Sequence, residues 1–352
     1  MELFVIYNFQ VGLSSCSNRS TEQKASFKVL QFNVWQEGTM VTDGLDRIAN
    51  VISESGADIV TFSEVRNYNN EDWLSKVKDA LAEKGLTYHG DFVAGDVGLI
   101  SKYPVVETRV VFDEAHTSDS GSLVACKLNV NSREVWVCAG HLDYKFYAVY
   151  LPRGYNGGYP DWKIRADEVG EPVPVTNVDT VLNYNKRSLK DEAIQKFIDF
   201  EKQVAPVPVI LGMDLNGASH LDWTDRAKQM YGHNGAVIPW NNTRSLEEAG
   251  FTDAYRFIYP DEVTHSGITW PAYPHGYQKN VSWTPKADER DRIDYVFYKG
   301  EGIKASTACL VGPSISFSYG KVTGSECKDT HIYDNQPWPS DHNGVMVAFE
   351  LD

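Results

Sequence analysis

Residues 209–216, VILGMDLN, run from a short apolar strand at 209–213 straight into Asp214 and Asn216. Leu215 points away, so both polar side chains leave the strand end on one side. Alone, an Asp and an Asn after a strand are ordinary turn chemistry. Repetition along the chain changes their meaning. Gln31-Phe32-Asn33, Phe62-Ser63-Glu64, Gly140-His141-Leu142-Asp143 and Arg292-Ile293-Asp294-Tyr295 each sit at the end of an apolar run, and Ser340-Asp341-His342 closes the series. Strand ends that each deliver a carboxylate, amide or imidazole can converge on one pocket. That mixture suits a hard divalent cation flanked by proton-transfer groups.

Between these motifs the periodicity supplies an α/β pattern. Strands are expected at 27–35 and 58–65. Leu45, Ile48, Ala49 and Ile52 mark one amphipathic helix, and Trp73, Leu74, Val77 and Leu81 a second that ends at Gly85. Residues 97–101, 105–112, 122–130 and 134–141 read as hairpins or a meander. Leu189, Ala193, Phe197 and Phe200 define another helix ahead of the 209–213 strand, and 294–298 and 345–351 are the last strands. The mixture predicts two packed sheets with helices outside, not a doubly wound parallel sheet. Residues 144–183 read as a long insertion after His141, and 217–245 as a second irregular segment.

With 42% hydrophobic residues, nine Trp and nineteen Tyr in 352 residues, the chain can bury a large core. One domain over 27–352 is expected, because Asn33 and His342 must meet if they share a site. A net charge of −15 disfavours broad nucleic-acid binding, which needs Lys and Arg to displace counterions, although a nuclease is not excluded. A monomer is expected.

Residues 3–13 are apolar and lead into Leu13-Ser14-Ser15-Cys16, which looks like a lipoprotein signal with Cys16 as the lipid-bearing residue. No Lys or Arg precedes Arg19, a departure from the usual basic start. On this reading 1–16 is the leader, 17–26 a polar tether, and the protein is extracytoplasmic, lipid-anchored or secreted. Cys126, Cys138, Cys309 and Cys327 are even in number, and Cys126 and Cys138 flank a hairpin that places them near each other across strands.

The ordered set Asn33, Glu64, His141, Asp214-x-Asn216, Asp294 and Asp341-His342 resembles the endonuclease/exonuclease/phosphatase superfamily, the DNase-I-like fold of abasic-site endonucleases, neutral sphingomyelinases and inositol polyphosphate phosphatases. The likeness covers about residues 27–352. It implies an α/β (α+β) four-layer sandwich, two packed mixed β-sheets flanked by helices. It also implies a metal-dependent phosphoesterase in which Glu64, with Asn33 and Asp341, holds Mg²⁺ or Mn²⁺. Asp214 would orient or deprotonate the attacking water, Asn216 would donate to phosphoryl oxygens, and Asp294 would keep His342 protonated against the phosphate. His141 matches the sphingomyelinase, phosphatase and DNase I branches, not the abasic-site endonucleases.

Substrate contacts are expected from Asp143, which could also orient His141 or bind metal, and from Tyr144, Arg153, Arg165 and Trp270. The insertion's mixture of rings and cations could stack a sugar or base, meet a lipid interface or bind further phosphates. The expected substrate is a phosphorylated small molecule, a phospholipid headgroup or a glycan phosphate. A nuclease of the same fold is the alternative. A silent binding module is disfavoured because each catalytic position carries a competent residue. The chain has no HExxH, GxSxG or GxxxxGK[ST] motif.

Overall fold

The computed structural model describes Met1 and residues 25–90, 92–113, 121–159, 162–274, 282–333 and 337–352. Its first half contains β1 (Ala25–Asn33), α1 (Gly44–Ser55), β2 (Ile59–Ser63), α2 (Trp73–Ala82), β3 (Val93–Ala94), β4 (Val97–Ser101), β5 (Val105–Asp113), β6 (Gly121–Val130) and β7 (Arg133–Leu142). Then come α3 (Val178–Asn185), α4 (Lys190–Val204), β8 (Val209–Asp214), α5 (Asn241–Glu248), β9 (Thr252–Asp253) and α6 (Ala254–Ile258). The chain finishes with β10 (Asp294–Lys299), β11 (Ile303–Val311), β12 (Ile315–Ser318), β13 (Lys321–Gly324), β14 (His331–Ile332) and β15 (Gly344–Leu351). The expected leader and most of the tether, Cys16 included, lie outside the described residues.

One sheet has the order β14-β11-β15-β1-β2-β4-β3 and the other β5-β6-β7-β8-β10-β9, with β12 and β13 as a separate hairpin. Parallel pairs β1/β2, β11/β14 and β7/β8 sit among antiparallel neighbours, so both sheets are mixed. Val29, Ile59 and Val347 of the first sheet pack against Val124, Val137 and Ile210 of the second. The outer face of the first sheet takes α1 and α2 through Ile48, Ile52, Trp73 and Leu74, and that of the second takes α4 and α5 through Phe197, Phe200 and Leu246. Helix, sheet, sheet, helix is the four-layer order that the sequence predicts.

Cys126 and Cys138 are neighbours across the β6/β7 hairpin, as expected, but face opposite ways. Cys126 opposes Val137, and Cys138 opposes Ala125, so the two thiols are one register step apart. One step reverses the face. Cys126 enters the core between the sheets and Cys138 the core beneath α4.

The insertion is more ordered than its composition suggests, for it includes α3, and its rings form a further core. Tyr147, Val149, Tyr150 and Tyr155 pack with Trp223, Trp240, Trp270 and Ile293. Against Trp223 stacks His233, with ring centroids 3.8 Å apart. Burial, helped by the Arg153 charge, lowers the His233 pKa to about 3. Between that value and the ordinary histidine range the unfolded chain binds the extra proton, so stability rises with pH there. It is fully present above about pH 6.5 and is lost as pH falls toward 3. Going from about pH 7 to about pH 4.5 should cost about 2–3 kcal/mol through this ring alone. Denaturant midpoints at the two pH values should show that loss, and His233→Gln should lack this share of it; an equal loss in the variant would contradict the assignment.

Candidate active site

Strand register brings the motifs together. In the second sheet Asp214 of β8 opposes His141 of parallel β7 on one side and Asp294 of antiparallel β10 on the other. Three polar residues are thus level across adjacent strands. In the first sheet Asn33 opposes Ser63, which puts Glu64 one residue beyond the end of β2. Asp341 and His342 immediately precede β15, which runs antiparallel to β1 and so begins where β1 ends. The chain then leaves regular geometry at this rim: Trp35, Gln36, Glu37, Glu64 and Asn216 all have positive φ. Such conformations are unfavourable for residues with a side chain and are kept where surrounding contacts impose them.

A cavity of about 300 Å³ opens on this edge, lined by Glu64, Arg66, Asn216, Asp341 and His342 together with aromatic residues. Behind them lie Asp294, Asp214, His141 and Asn33. His342 Nδ1 is 2.9 Å from Asp294 Oδ2 and 3.9 Å from Asp214 Oδ2, while Nε2 is 3.8 Å from Asp341 Oδ1. Burial opposes charge on this ring, but Asp294, Asp341 and Asp214 outweigh it and raise the pKa to about 10. His342 is therefore an imidazolium at neutral pH. Its main chain is fixed as well: Ser340 Oγ donates to the Asn33 carbonyl, and Trp338 Nε1 to that of His342.

His141 has a parallel arrangement. Its Nδ1 is 2.7 Å from Asp96 Oδ2 and its Nε2 is 2.9 Å from Asn216 Nδ2. Burial would lower its pKa, yet Asp96, Asp214 and Glu64 raise it to about 9. An imidazolium needs an acceptor at Nε2, so Asn216 then presents Oδ1 there and gives up its Nδ2 bond to the Leu142 carbonyl. Asp214 is wholly buried; Oδ2 accepts from Asn33 and Oδ1 from the Asn216 amide. It meets the cavity only through the groups it holds.

Residues 30–342 match the Endonuclease/Exonuclease/phosphatase family. The chain belongs to that family. A Caenorhabditis elegans protein, itself uncharacterized, is 25% identical over 99% of both chains. Among solved structures, the Bacteroides vulgatus endonuclease/exonuclease/phosphatase is 13% identical with a TM-score of 0.53, over 94% of this chain and all of that one. The Beutenbergia cavernae one is 19% identical with a TM-score of 0.51, over 93% of this chain and 72% of that one. D. rerio TDP2, solved with a single-strand DNA product, is 14% identical with a TM-score of 0.53, over 92% of this chain and 98% of that one. At these identities the structures share the fold with this family member.

Two groups of residues in this family member invite a metal. Ligand atoms of Asp214, Asp294 and His342 lie within 4.8 Å of one another, but there the Asp294 carboxylate already holds a protonated ring, and an imidazolium offers no lone pair. Glu64 and Asp341 fit better. Both line the cavity; burial and the Glu64 charge raise the Asp341 pKa to about 7, and Asp341 Oδ1 is buried without a hydrogen-bond partner. A hard cation relieves both the repulsion and the unmet oxygen. Asn33 lies beside this pair: Nδ2 is 3.3 Å from Glu64 Oε1 and 2.9 Å from Asp214 Oδ2, and Oδ1 accepts from the Trp35 amide.

The expected substrate contacts divide. Tyr144 and Trp270 line the cavity; Asp143, Arg153 and Arg165 do not. Asp143 accepts from the Phe146 amide and lies near Lys190, so it shapes the loop, and Asp96 orients His141 in its place. Arg153 donates to the carbonyls of Tyr231, Asp288 and Arg290 and to Asp291, which leaves nothing for a phosphate. Arg165 is exposed and only 3.5 Å from Asn156 Oδ1.

Three functional neighbours escape sequence reasoning: Asp96, Arg66 and Lys190. Lys190 is buried in the first turn of α4, its Nζ 2.6 Å from the Asn216 carbonyl and 3.3 Å from that of Phe146. It ties the Asn216 turn to the insertion. Burial lowers its pKa to about 8 against the pull of Asp143 and Asp214. For Asp96, the Asp96→Asn variant should bring the His141 pKa down and lower kcat by about 10–10²-fold, by loss of a positioned proton-transfer group. Histidine titration by NMR with steady-state kinetics checks this; an unmoved His141 pKa would contradict the pairing.

Proposed function

We propose that this family member is a metal-dependent phosphoesterase that hydrolyses a phosphomono- or phosphodiester of an extracytoplasmic molecule by in-line attack of water. The observation that carries the reading is the His342 imidazolium, held by Asp294, at a cavity it shares with Asn216, Glu64 and Asp341. Glu64 and Asp341 would hold Mg²⁺ or Mn²⁺, which when bound supplies a Lewis acid for the phosphoryl oxygen. His342 Nε2 and Asn216 Nδ2 stabilise charge on the remaining oxygens as water adds to phosphorus. The bond from phosphorus to the leaving alcohol breaks, and that alcohol takes up a proton. His141, with its pKa raised by Asp96, is placed beside Asn216 to move a proton. No covalent enzyme intermediate is needed.

A small substrate is favoured over a nucleic acid. Among the described residues lining the cavity Arg66 is the sole Lys or Arg, and it is already 3.6 Å from Glu64 and 3.9 Å from Asp96. The DNA product belongs to the D. rerio protein; a nuclease reading of this chain requires DNA or RNA cleavage that falls steeply with salt. We place the protein outside the cytoplasm, anchored through Cys16, on the sequence of residues 1–16. The test is turnover of p-nitrophenyl phosphate and bis-p-nitrophenyl phosphate with Mg²⁺ and Mn²⁺, beside a phospholipid and nucleic-acid panel. Turnover that requires the metal is expected; silence on every substrate would overturn the proposal.

A further inference from the structure

Between β1 and α1 the main chain takes a rare path. Trp35, Gln36, Glu37 and Gly38 follow one another at φ of 42°, 55°, 64° and 73°, and the Gly38 amide donates to the Val34 carbonyl at 2.6 Å. The four residues therefore make one left-handed helical turn. Only Gly38 enters that conformation freely; in each of the other three a Cβ is crowded against the following carbonyl. Strain of this kind persists where surrounding contacts impose it, and it gathers at ligand clamps.

What the turn holds is Glu64. The Gln36 amide donates to Glu64 Oε2 at 2.8 Å, and the Trp35 amide donates at 2.9 Å to Asn33 Oδ1, whose own Nδ2 is 3.3 Å from Glu64 Oε1. Both carboxylate oxygens thus have a donor, and each keeps a lone pair for a cation. Glu37 acts on the loop that leaves Glu64. Its side chain is buried, and Oε1 accepts from the Arg66 amide at 2.7 Å and from the Asn67 amide as well. Glu64 enters that loop at φ 68°, and the Val65 amide is tied to the Asp96 carbonyl. Trp73 Nε1, from α2, in turn donates to the Glu37 carbonyl at 3.3 Å. Glu37 itself does not line the cavity, whereas Gln36, Glu64 and Arg66 do.

We propose, on the phosphoesterase reading above, that Glu37 is a positioning residue for the metal. Through the Arg66 and Asn67 amides it fixes the loop that aims the Glu64 carboxylate, and the left-handed turn is what carries it there. Groups behind a metal ligand set its orientation, and removing one typically costs about 10–100-fold in metal affinity.

Calorimetric titration of the full chain with Mn²⁺ tests this apart from turnover, with circular dichroism to follow the fold. Glu37→Gly removes the carboxylate, while glycine takes a φ of 64° without strain, so the turn should persist. Mn²⁺ should bind this variant about tenfold or more weaker than the wild type. Glu37→Asn, a residue that also visits the left-handed region but whose side chain is one carbon short, should lose as much. Glu37→Gln keeps an oxygen for the two amides and drops the charge, and it should bind within about threefold of the wild type. Wild-type affinity in Glu37→Gly and Glu37→Asn would overturn the positioning role. An equal loss in Glu37→Gln would overturn it too, since the charge would then act at a distance and not through the loop. A wild-type chain that binds no Mn²⁺ would sink both this role and the metal reading above. Metal-dependent turnover of bis-p-nitrophenyl phosphate, with an affinity indifferent to Glu37, would sink the positioning role alone.

Discussion

His342→Ala is expected to lower kcat on any phosphoester substrate by about 10²–10³-fold, the usual cost of removing one preorganised donor to a developing anion. The loss should fall on kcat more than on KM, because the imidazolium acts on charge that appears only as the reaction proceeds. The fold should survive, since the ring lies at the cavity edge and Trp338 and Ser340 hold the main chain there. His342→Gln should recover little, for a neutral amide replaces a cation. Steady-state kinetics with circular dichroism checks the split. A full rate in either variant would remove His342 from the chemistry.

Arg153→Met should destabilise the protein by about 3–5 kcal/mol, the cost of breaking a buried ion pair and leaving its partner uncompensated. The partner is Asp291, whose pKa burial already raises to about 6 against the pull of Arg153. Four groups on two segments lose their donor at once: the Tyr231 carbonyl, and in 288–291 the carbonyls of Asp288 and Arg290 and the Asp291 carboxylate. Denaturant unfolding reads the effect. A raised KM with unchanged stability would return Arg153 to the substrate contacts that its position after His141 first suggests.

That contrast shows where sequence reasoning succeeds and where it stops. Asn33, Glu64, His141, Asp214, Asp294 and His342 are visible because each is a polar residue where an apolar strand starts or stops, and strand register then carries them to one edge. Arg153 misleads because its partner is 138 residues away, and a chain read in order shows the charge without its acceptor. Asp96 sits in a Gly-Asp turn before β4, where turn chemistry is explanation enough. Lys190 resembles a solvated residue at the start of α4, and only the packed structure shows it buried beneath Asn216. Strand β11 is hidden by a register shift between Ala305 and Thr307, which breaks the alternation that betrays a strand.

The most direct test of the account is the rate of bis-p-nitrophenyl phosphate hydrolysis against Mn²⁺ concentration, for the wild-type chain and for Glu64→Ala. A saturable metal dependence is expected in the wild type and a loss of about 10³-fold or more in the variant, which removes half of the carboxylate pair that would hold the cation. A wild-type rate indifferent to metal, or a Glu64→Ala rate equal to it, would contradict the account.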